Sequence, residues 1–396
     1  MFSGGFYSHA KGTSADFIEI ILLGLEEMSL EAEVFMQQQA NWELREGFKI
    51  EKVVSGLELP VNLAFVPHPK RGKGAPLFYL TELYGRIKVI TNEFKVLVFA
   101  DNLLNYQPDF KIPGTGESGV IGIVVHENGD VFASMLYKDG EAFKNKVVRF
   151  STKDGLKAEK AETILDGMLS INAAHQVQAL TIHEAKLYVN VGDGMINPDV
   201  AQDGDDLRGK ILRLNLDGSI PSDNPNPKSY VYAKGLRNPF GAAWRKSDDQ
   251  LYISDNGPAV DDRIAKILPG ENYGWPDSMR KNSLFVWWYT EAPTAIDFAE
   301  SQFGERHKDH LFVALFGYAY AEGKAQKGKK IVELYIDTHD NVKYLNDFVR
   351  YVGQGPASVC GLAFGPDGLY FTDLHGEVGS KKGEKAGGNI WKVTKT

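Results

Sequence analysis

Cysteine is almost missing from this chain of 396 residues, in which Cys360 is the single example. One thiol forms no internal disulfide and builds no metal site that needs several cysteines. Cys360 lies in the run VCGLAF at residues 359–364, and this apolar setting predicts a place in the hydrophobic core.

Long apolar segments are missing as well. The best candidate, residues 17–25, contains Glu19 and is followed by two more glutamates, so no membrane span is expected. No secretory signal is visible, because the leading segment has neither a Lys/Arg cluster nor a small-residue cleavage pattern. Residues 15–40, rich in Leu, Glu, Met and Gln, predict an amphipathic helix instead.

Basic residues are fewer than acidic residues. The chain has 44 Lys and Arg residues against 52 Asp and Glu residues, which gives a formal net charge of −8. The densest basic run, KAQKGKK at residues 324–330, is typical of a solvated hairpin loop. Nucleic-acid binding is therefore not expected.

Signatures of several catalytic classes are absent from the sequence. There is no phosphate-binding loop, no dinucleotide fingerprint after a strand and no GxSxG nucleophile motif, which disfavours nucleotide cofactors and α/β-hydrolases. Histidines other than His175 show no paired spacing of metal ligands, and HExxH is missing. The sequence thus predicts no metal centre built from His or Cys.

The chain is instead rich in glycine, with 41 residues, and in aromatic residues, at 11%. This composition, with many short apolar runs, favours β-hairpins over helix bundles. The runs form an internal repeat: an apolar strand, a turn, a second apolar strand with Tyr or Phe, and a later strand rich in Ile, Val, Arg and Lys. The second strand recurs at residues 77–81, 130–134, 186–190, 250–254, 310–314 and 368–372.

Six copies spaced roughly 50–65 residues apart predict a β-propeller of six four-stranded blades. Ring closure requires the two chain ends to share a blade, and the alternating residues 48–54 suit the outer strand of the last one. We expect an all-β fold, a six-bladed β-propeller over residues 46–396, after a short helical extension over residues 1–45. An open solenoid or two β-sandwiches are the alternatives.

Six stretches carry a family resemblance. They are GESGVIG at 116–122, GKILRLNLDGSIPSDNP at 209–225, GLRNPFG at 235–241, NGP at 256–258, NYGWP at 272–276 and LAFGPDGLYFTD at 362–373. Together and in this order they resemble the glucose/sorbosone dehydrogenase family, which includes soluble pyrroloquinoline quinone (PQQ) glucose dehydrogenases and aldose sugar dehydrogenases. The resemblance covers residues 46–396.

The resemblance implies a catalytic pair in the third copy. His175 stands where the family has the base that removes the proton of the sugar C1 hydroxyl, and Asp193 matches the carboxylate that orients it. An imidazole suits this task because its pKa lies near the working pH. A structural loop histidine is the alternative. After His175, the family's Gly-Gly-Arg-Leu is replaced by VQAL at 177–180, which removes a cation.

The resemblance also implies a quinone site. Arg237 and Asn238 match the Arg-Asn pair that contacts PQQ, for which a guanidinium supplies paired donors and a planar face. Glu117 falls where the family has Gln or Glu near the quinone. Phe240 stands where Gln is common, and basic residues usual in the last two blades are missing, so one clear arginine faces the three carboxylates of the cofactor.

Calcium is implied at two places. Gly257 and Pro258 match the carbonyls that hold a Ca²⁺ ion against PQQ, and such oxygen ligands suit a hard cation. Tyr273 matches a second calcium position through its backbone oxygen. Arg263, however, replaces the Glu that helps to hold this second ion, and a cation there opposes calcium.

The function implied is a PQQ- and Ca²⁺-dependent oxidoreductase that transfers hydride from an aldose, or a related polyol or aldehyde, to the quinone, with His175 as general base. The expected partners are a small sugar and an external electron acceptor, the expected assembly is a monomer or homodimer, and the expected compartment is the periplasm or exterior. Two alternatives stay open: a non-redox carbohydrate- or partner-binding propeller, and a calcium-dependent lactonase-like hydrolase using Glu117, Asn172, Asn238 and Asp255.

Overall fold

The computed structural model describes residues 36–39, 41–107, 117–170, 174–317, 329–355, 357–376 and 387–396. They belong to one compact unit, Met36–Thr396. In this described part of the chain the regular structure is β-strand, apart from two short 3-10 helices, Pro198–Ala201 and Glu305–His307. None of the described helices is long and apolar enough to cross a membrane.

The strands are numbered in chain order. The first three are β1 (Met36–Gln39), β2 (Trp42–Arg45) and β3 (Phe48–Leu57). Blade one contains β4 (Pro60–Phe65), β5 (Pro76–Glu82), β6 (Arg86–Thr91) and β7 (Val96–Ala100). Blade two contains β8 (Val120–Val125), β9 (Val131–Asp139), β10 (Ala142–Ser151) and β11 (Lys160–Ser170). Blade three contains β12 (Val177–His183), β13 (Lys186–Val191), β14 (Lys210–Asn215) and β15 (Val231–Lys234).

The remaining blades follow the same order. Blade four contains β16 (Pro239–Arg245), β17 (Gln250–Asp255), β18 (Asp262–Ile267) and β19 (Phe285–Trp287). Blade five contains β20 (Pro293–Phe298), β21 (Leu311–Leu315), β22 (Lys330–Ile336) and β23 (Val342–Tyr351). Blade six contains β24 (Val359–Gly365), β25 (Gly368–Asp373) and β26 (Gly388–Lys395), with β3 as its outer strand.

Six antiparallel sheets surround one axis, which confirms the predicted six-bladed propeller. The inner strands are the first of each blade, and each contacts the next, with β24 meeting β4 to close the ring. Because every blade begins with its inner strand, the inner strands share one direction. They all start, and the second strands all end, at one rim of the ring, called here the upper rim.

The ring is closed by the N-terminal strand β3. It pairs antiparallel with β26, with Ile50 opposite Val393 and Val54 opposite Ile390. Phe48, Val54 and Leu57 are buried, while charged residues between them face outward. The closing strand predicted at residues 48–54 is therefore confirmed, and it extends to Leu57.

A polar side chain crosses each boundary between blades and donates to a carbonyl on the neighbouring inner strand. In five cases the donor is on a second strand, and at the boundary of blades five and six it is on the inner strand β20. The donors and acceptors are Thr81 to Ile121 (2.9 Å), Ser134 to Gln178 (2.9 Å), Asn190 to Gly241 (3.2 Å), Ser254 to Pro293 (3.3 Å), Thr294 to Cys360 (2.6 Å) and Thr372 to Val61 (3.0 Å). Buried carbonyls left by strand bulges are thus satisfied.

Glycine permits the closest approach between blades. At Gly122 a Cβ atom would lie 2.0 Å from the carbonyl oxygen of Gln178, and at Gly361 one would lie 2.4 Å from that of Val61. Both glycines lie in β-bulges of inner strands. A side chain there would push adjacent blades apart.

Residues 36–45 correct the expected helical extension. They form β1 and β2, and β2 pairs with β23 at the outer edge of blade five. Trp42 is fully buried, with its ring 5.1 to 5.7 Å from those of Tyr351, Phe371 and Trp391. This aromatic anchor outweighs local helix propensity. The helix predicted over 15–40 is wrong for its last residues, the boundary moves from residue 46 to residue 36, and residues 1–35 lie outside the described residues.

Cys360 is a core residue, as predicted. It packs with Leu59, Val61, Ile121 and other buried residues between blades. Burial raises the pKa of its thiol to about 12, so the thiolate needed for reactivity does not form at neutral pH.

Candidate active site

The structure brings the predicted site residues to the upper rim. His175 and Asn238 come just before the inner strands β12 and β16, Glu117 comes just before β8, and Asp193 follows β13. Because inner strands begin and second strands end at this rim, three separate blades contribute side chains to one place.

His175 and Asp193 form a buried pair. His175 Nδ1 lies 2.6 Å from Asp193 Oδ1, and His175 is 6% exposed. Burial acts to raise the pKa of Asp193, but the hydrogen bond and charge of His175 outweigh it and the pKa is lowered. An ionised Asp193 holds the imidazole proton on Nδ1, which leaves Nε2 as the basic nitrogen.

The backbone of His175 adopts an unusual conformation with φ of 49°. Its N–H donates to Glu117 Oε2 at 2.8 Å, and its carbonyl oxygen accepts from the N–H of Gly194 at 3.2 Å. A Cβ atom on Gly192 would lie 2.5 Å from that carbonyl oxygen. The surrounding loops therefore enforce a backbone strain of the kind that clusters at functional sites.

Trp275 connects the pair to Arg237. The Trp275 indole N–H donates to Asp193 Oδ2 at 2.9 Å, and the Arg237 guanidinium lies 5.5 Å from the Trp275 ring centroid. The Arg237 carbonyl also accepts from the N–H of Asp193 at 2.8 Å. The imidazole and the guanidinium thus belong to one contiguous cluster, as the sequence predicts. Trp275 itself lies in the NYGWP motif but was not singled out as a site residue.

Glu117 and Asn238 meet beside His175. The Asn238 side-chain amide donates to Glu117 at 3.4 Å, and its backbone N–H donates to Asp255 Oδ1 at 2.7 Å. Gln178 joins them through contacts of 3.4 Å, and its buried Oε1 finds no hydrogen-bond partner among the described residues. Sequence reasoning missed Gln178 as a site residue, although its place in the altered VQAL segment was a usable signal.

Arg237 occupies the first expected calcium position. Its Nη1 donates to the carbonyl oxygens of Asn256 and Gly257 at 2.9 and 2.8 Å. Gly257 is buried and Pro258 is exposed. The Oδ1 of Asn256 is buried and has no hydrogen-bond partner within the described part of the chain.

These donors fit the implied groups in part. Carbonyl and amide oxygens suit calcium, and the unpartnered Asn256 Oδ1 is an acceptor available to a hydrogen-bond donor or a cation there. A calcium ion at Gly257, however, requires Arg237 to turn its donors toward another acceptor, such as a cofactor carboxylate. The first calcium position is therefore compatible with the residues present only if Arg237 changes partner.

The second expected calcium position, with Tyr273, contains an arginine side chain. Arg263 is fully buried, and its guanidinium donates to the Tyr273 carbonyl at 2.7 Å and the Met279 carbonyl at 2.8 Å. It also donates to Lys281 and Gly235 carbonyls and pairs with Asp255 Oδ2 at 2.7 Å. A guanidinium thus fills the carbonyl cage in which Tyr273 was expected to hold a second calcium ion.

The same ion pair bears on the lactonase-like alternative. Asp255 accepts hydrogen bonds from Asn238 and Arg263 on its two carboxylate oxygens, which leaves it less available to a calcium ion. Asn172, the other residue invoked for it, lies outside the described residues.

Two basic groups that sequence reasoning missed lie on the far side of the upper rim. Lys329 precedes β22 and donates to the Gly355 carbonyl at 3.1 Å, and His375 follows β25. Burial lowers the pKa of both groups, and the neighbouring Lys329 ammonium lowers that of His375 further. Lys329 therefore supplies one cation in blade five, whereas the lowered pKa of His375 favours its neutral imidazole. No sequence motif identifies Lys329 and His375 as site residues, because blades five and six bring them together only in the closed ring.

The other end of the axial channel has a different character. A cavity of about 270 Å³ is lined there by apolar residues near the ends of the inner strands, including Phe65, Trp244 and Phe364. Its lining contains neither the His175–Asp193 pair nor Arg237.

Comparisons with known proteins agree with this geometry. Residues 57–293, more than half of the chain, match the family model described as Glucose / Sorbosone dehydrogenase. Quinoprotein glucose dehydrogenase B of Acinetobacter calcoaceticus is 34% identical over 203 residues, which are 43% of this chain and 42% of that protein. In the curated relatives matched, the aligned part covers 34% to 59% of the relative's own length.

Solved structures share the fold over almost their whole length. An oxidoreductase (glucose dehydrogenase) of Thermus thermophilus is 25% identical with a TM-score of 0.69, covering 87% of this chain and 99% of that one. The PQQ-bound aldose sugar dehydrogenase of Streptomyces coelicolor, at 21% identity and a TM-score of 0.65, covers 87% of this chain and 98% of its own, and supports the fold alone. The chain therefore belongs to the glucose/sorbosone dehydrogenase family.

Proposed function

We propose that this protein is a PQQ-type sugar dehydrogenase that oxidises an aldose or a related polyol or aldehyde. The observation that carries the proposal is the buried His175–Asp193 pair, joined through Trp275 to Arg237 at the upper rim. Family membership supports the same chemistry, since relatives are named as quinoprotein glucose dehydrogenase and aldose sugar dehydrogenase.

In this proposal His175 is the general base. Its Nε2 accepts the proton of the substrate hydroxyl while hydride leaves the carbon that bears it. Asp193 holds Nδ1–H at 2.6 Å and stabilises the imidazolium that forms. Burial strengthens this interaction because little water competes for the charges.

Arg237, Asn238 and Glu117 would hold the cofactor. The Arg237 guanidinium, which now donates to the Gly257 carbonyl, would pair with a carboxylate of PQQ, and that carbonyl would then be available to calcium. Lys329 adds positive charge from blade five, beside the imidazole of His375 from blade six. The quinone, when bound, would supply the acceptor for the hydride, and an external electron acceptor would regenerate it.

The proposal is tested by adding PQQ and Ca²⁺ to metal-free protein and measuring sugar-dependent dye reduction together with the quinone absorbance. Turnover that needs both additions supports a quinoprotein. Quinone binding without turnover on any aldose, polyol or aldehyde contradicts the dehydrogenase assignment. No binding of PQQ in calorimetry favours the non-redox binding propeller instead.

Substitution of His175 by Ala should lower kcat by at least about a hundredfold, because the base is lost while the quinone contacts remain. The matched control is His183→Ala. His183 is the last residue of β12, the inner strand that His175 precedes, and there it pairs with Asp249 at 3.2 Å and stacks on Trp244. If both variants keep similar rates, His175 is not the base.

A further inference from the structure

Blade five contains a buried cluster of metal-ligand type far from the proposed active site. His307 ends the 3-10 helix Glu305–His307, His310 immediately precedes β21, and Glu333 lies in the middle of β22. His307 Nδ1 and His310 Nδ1 lie 2.7 and 2.5 Å from the same oxygen, Glu333 Oε1. The histidines are 6% exposed, and Glu333 is fully buried. The sequence prediction of no histidine-based metal centre missed this convergence.

We propose that His307, His310 and Glu333 form a structural site for a divalent transition-metal ion of the zinc type. Two imidazole nitrogens with one carboxylate form a ligand set that zinc accepts, whereas calcium prefers oxygen ligands alone. The three ligand atoms already lie within 4.8 Å of one another. The Tyr344 hydroxyl, 3.1 Å from His310 Nδ1, provides a fourth oxygen at the same place.

The geometry requires a small adjustment. With bonds of about 2.0–2.1 Å in a tetrahedral arrangement, neighbouring ligand atoms lie about 3.3 Å apart. The two imidazoles must therefore retreat from Glu333 by about 0.7 Å, and their Nδ1 protons must move to Nε2 or to solvent. This shift requires side-chain rotation of His307 at the end of a short 3-10 helix and of His310 just before a strand.

The charges around the cluster suit a structural role. Arg45 of β2 pairs with the other carboxylate oxygen, Glu333 Oε2, so Glu333 links the N-terminal strands to blade five. The hydrogen bonds of both histidines and the charge of Arg45 outweigh burial and hold the pKa of Glu333 well below its usual range.

A second cluster provides the contrast. His183, Glu184 and Asp249 also place ligand atoms close together, but Glu184 and Asp249 are exposed to solvent. Exposed groups of this kind bind metal weakly, because water competes for each ligand and no buried shell fixes them. Binding at blade five should therefore be distinguishable from adventitious surface binding.

The test is a titration of the metal-free full-length protein with Zn²⁺ and separately with Co²⁺, without PQQ. We expect one tight equivalent of Zn²⁺, a rise in Tm, and a visible Co²⁺ absorption of tetrahedral type. His310→Ala and His307→Ala should each weaken binding by at least about a hundredfold, while His183→Ala leaves the stoichiometry unchanged.

If Glu333 variants fail to fold, the Co²⁺ spectrum of the folded histidine variants decides the question. Absence of a tight equivalent in the wild type overturns the proposal. Binding that survives both histidine substitutions, or disappears in His183→Ala alone, overturns it as well. Because the titration contains no quinone, its outcome is independent of the proposed dehydrogenase activity.

Discussion

At the scale of single residues, Asp193 determines the chemistry that His175 can perform. It accepts from His175, from the N–H of Met195 and from the indole of Trp275, so its two oxygens fix both the imidazole and the aromatic ring beneath Arg237. A group with this many buried partners is costly to change.

Replacing Asp193 by Asn should lower kcat by at least about a hundredfold with a smaller effect on KM, because an amide neither stabilises the imidazolium nor fixes the proton on Nδ1. Sugar-dependent dye reduction at saturating PQQ measures the effect. Asp249→Asn is the matched control, since Asp249 pairs with His183 outside the site. Equal losses in the two variants would assign the effect to general destabilisation.

The sequence predicted the site residues that lie in recognisable motifs. It missed those whose place in the site depends on contacts with residues far away in the chain. His175, Asp193, Arg237 and Asn238 were predicted at one site, and the structure places them together. Gln178 was missed because the family resemblance has glycine there, and only the fold shows its side chain between Glu117 and Asn238.

At the scale of elements, the Arg263 guanidinium occupies the position where the family resemblance implies a second calcium ion. It ties β18 to β17 through Asp255 and to the loop after β18 through the carbonyls of Tyr273 and Met279. The sequence predicts that an arginine opposes calcium there, and the structure places Arg263 among the carbonyls of that position. The sequence did not predict that the guanidinium fills the carbonyl cage, because those carbonyls come from loop residues whose positions no local pattern specifies.

Arg263→Gln should lower the free energy of unfolding by about 3–5 kcal/mol, because it leaves the buried Asp255 without a cation. In EDTA, Arg263→Glu should be as unstable as Arg263→Gln. Addition of Ca²⁺ should raise the Tm of Arg263→Glu, since this variant adds a carboxylate to the carbonyl cage. Thermal unfolding with and without Ca²⁺ measures both. A calcium response no larger in Arg263→Glu than in Arg263→Gln would show that the cage is not of calcium type.

The N-terminal elements show the same limit of local patterns. The alternation of residues 48–54 was enough to predict the closing strand, because apolar and charged positions alternate with the strand period. Residues 36–45 have no such pattern, and their strand state depends on Trp42 entering an aromatic pocket made by residues 351, 371 and 391. That pocket exists only once blades five and six have formed.

At the scale of the whole molecule, every boundary of the ring carries a bridging hydrogen bond. The boundary that closes it, between blades six and one, uses Thr372 and Val61, which are 311 residues apart in the chain. The corresponding Thr81 spans the boundary of blades one and two with Ile121, only 40 residues away. If the closed ring unfolds as one unit, these two bridges should contribute alike despite their different sequence separation.

Thr372→Val and Thr81→Val should therefore each lower the free energy of unfolding by about 1–3 kcal/mol, because each leaves a buried backbone carbonyl without its donor. Denaturant unfolding followed by tryptophan fluorescence and by circular dichroism measures the loss, and the two signals should change together. If the boundary between blades six and one opens before the rest of the ring, Thr372→Val should lower the free energy of unfolding much less than Thr81→Val. A separate early transition should then be visible. The two threonine variants should lose equal stability only if the pairing of β3 with β26 keeps blade six in the ring. A destabilising change in β3 such as Val54→Asp should therefore produce the early transition that neither threonine variant shows.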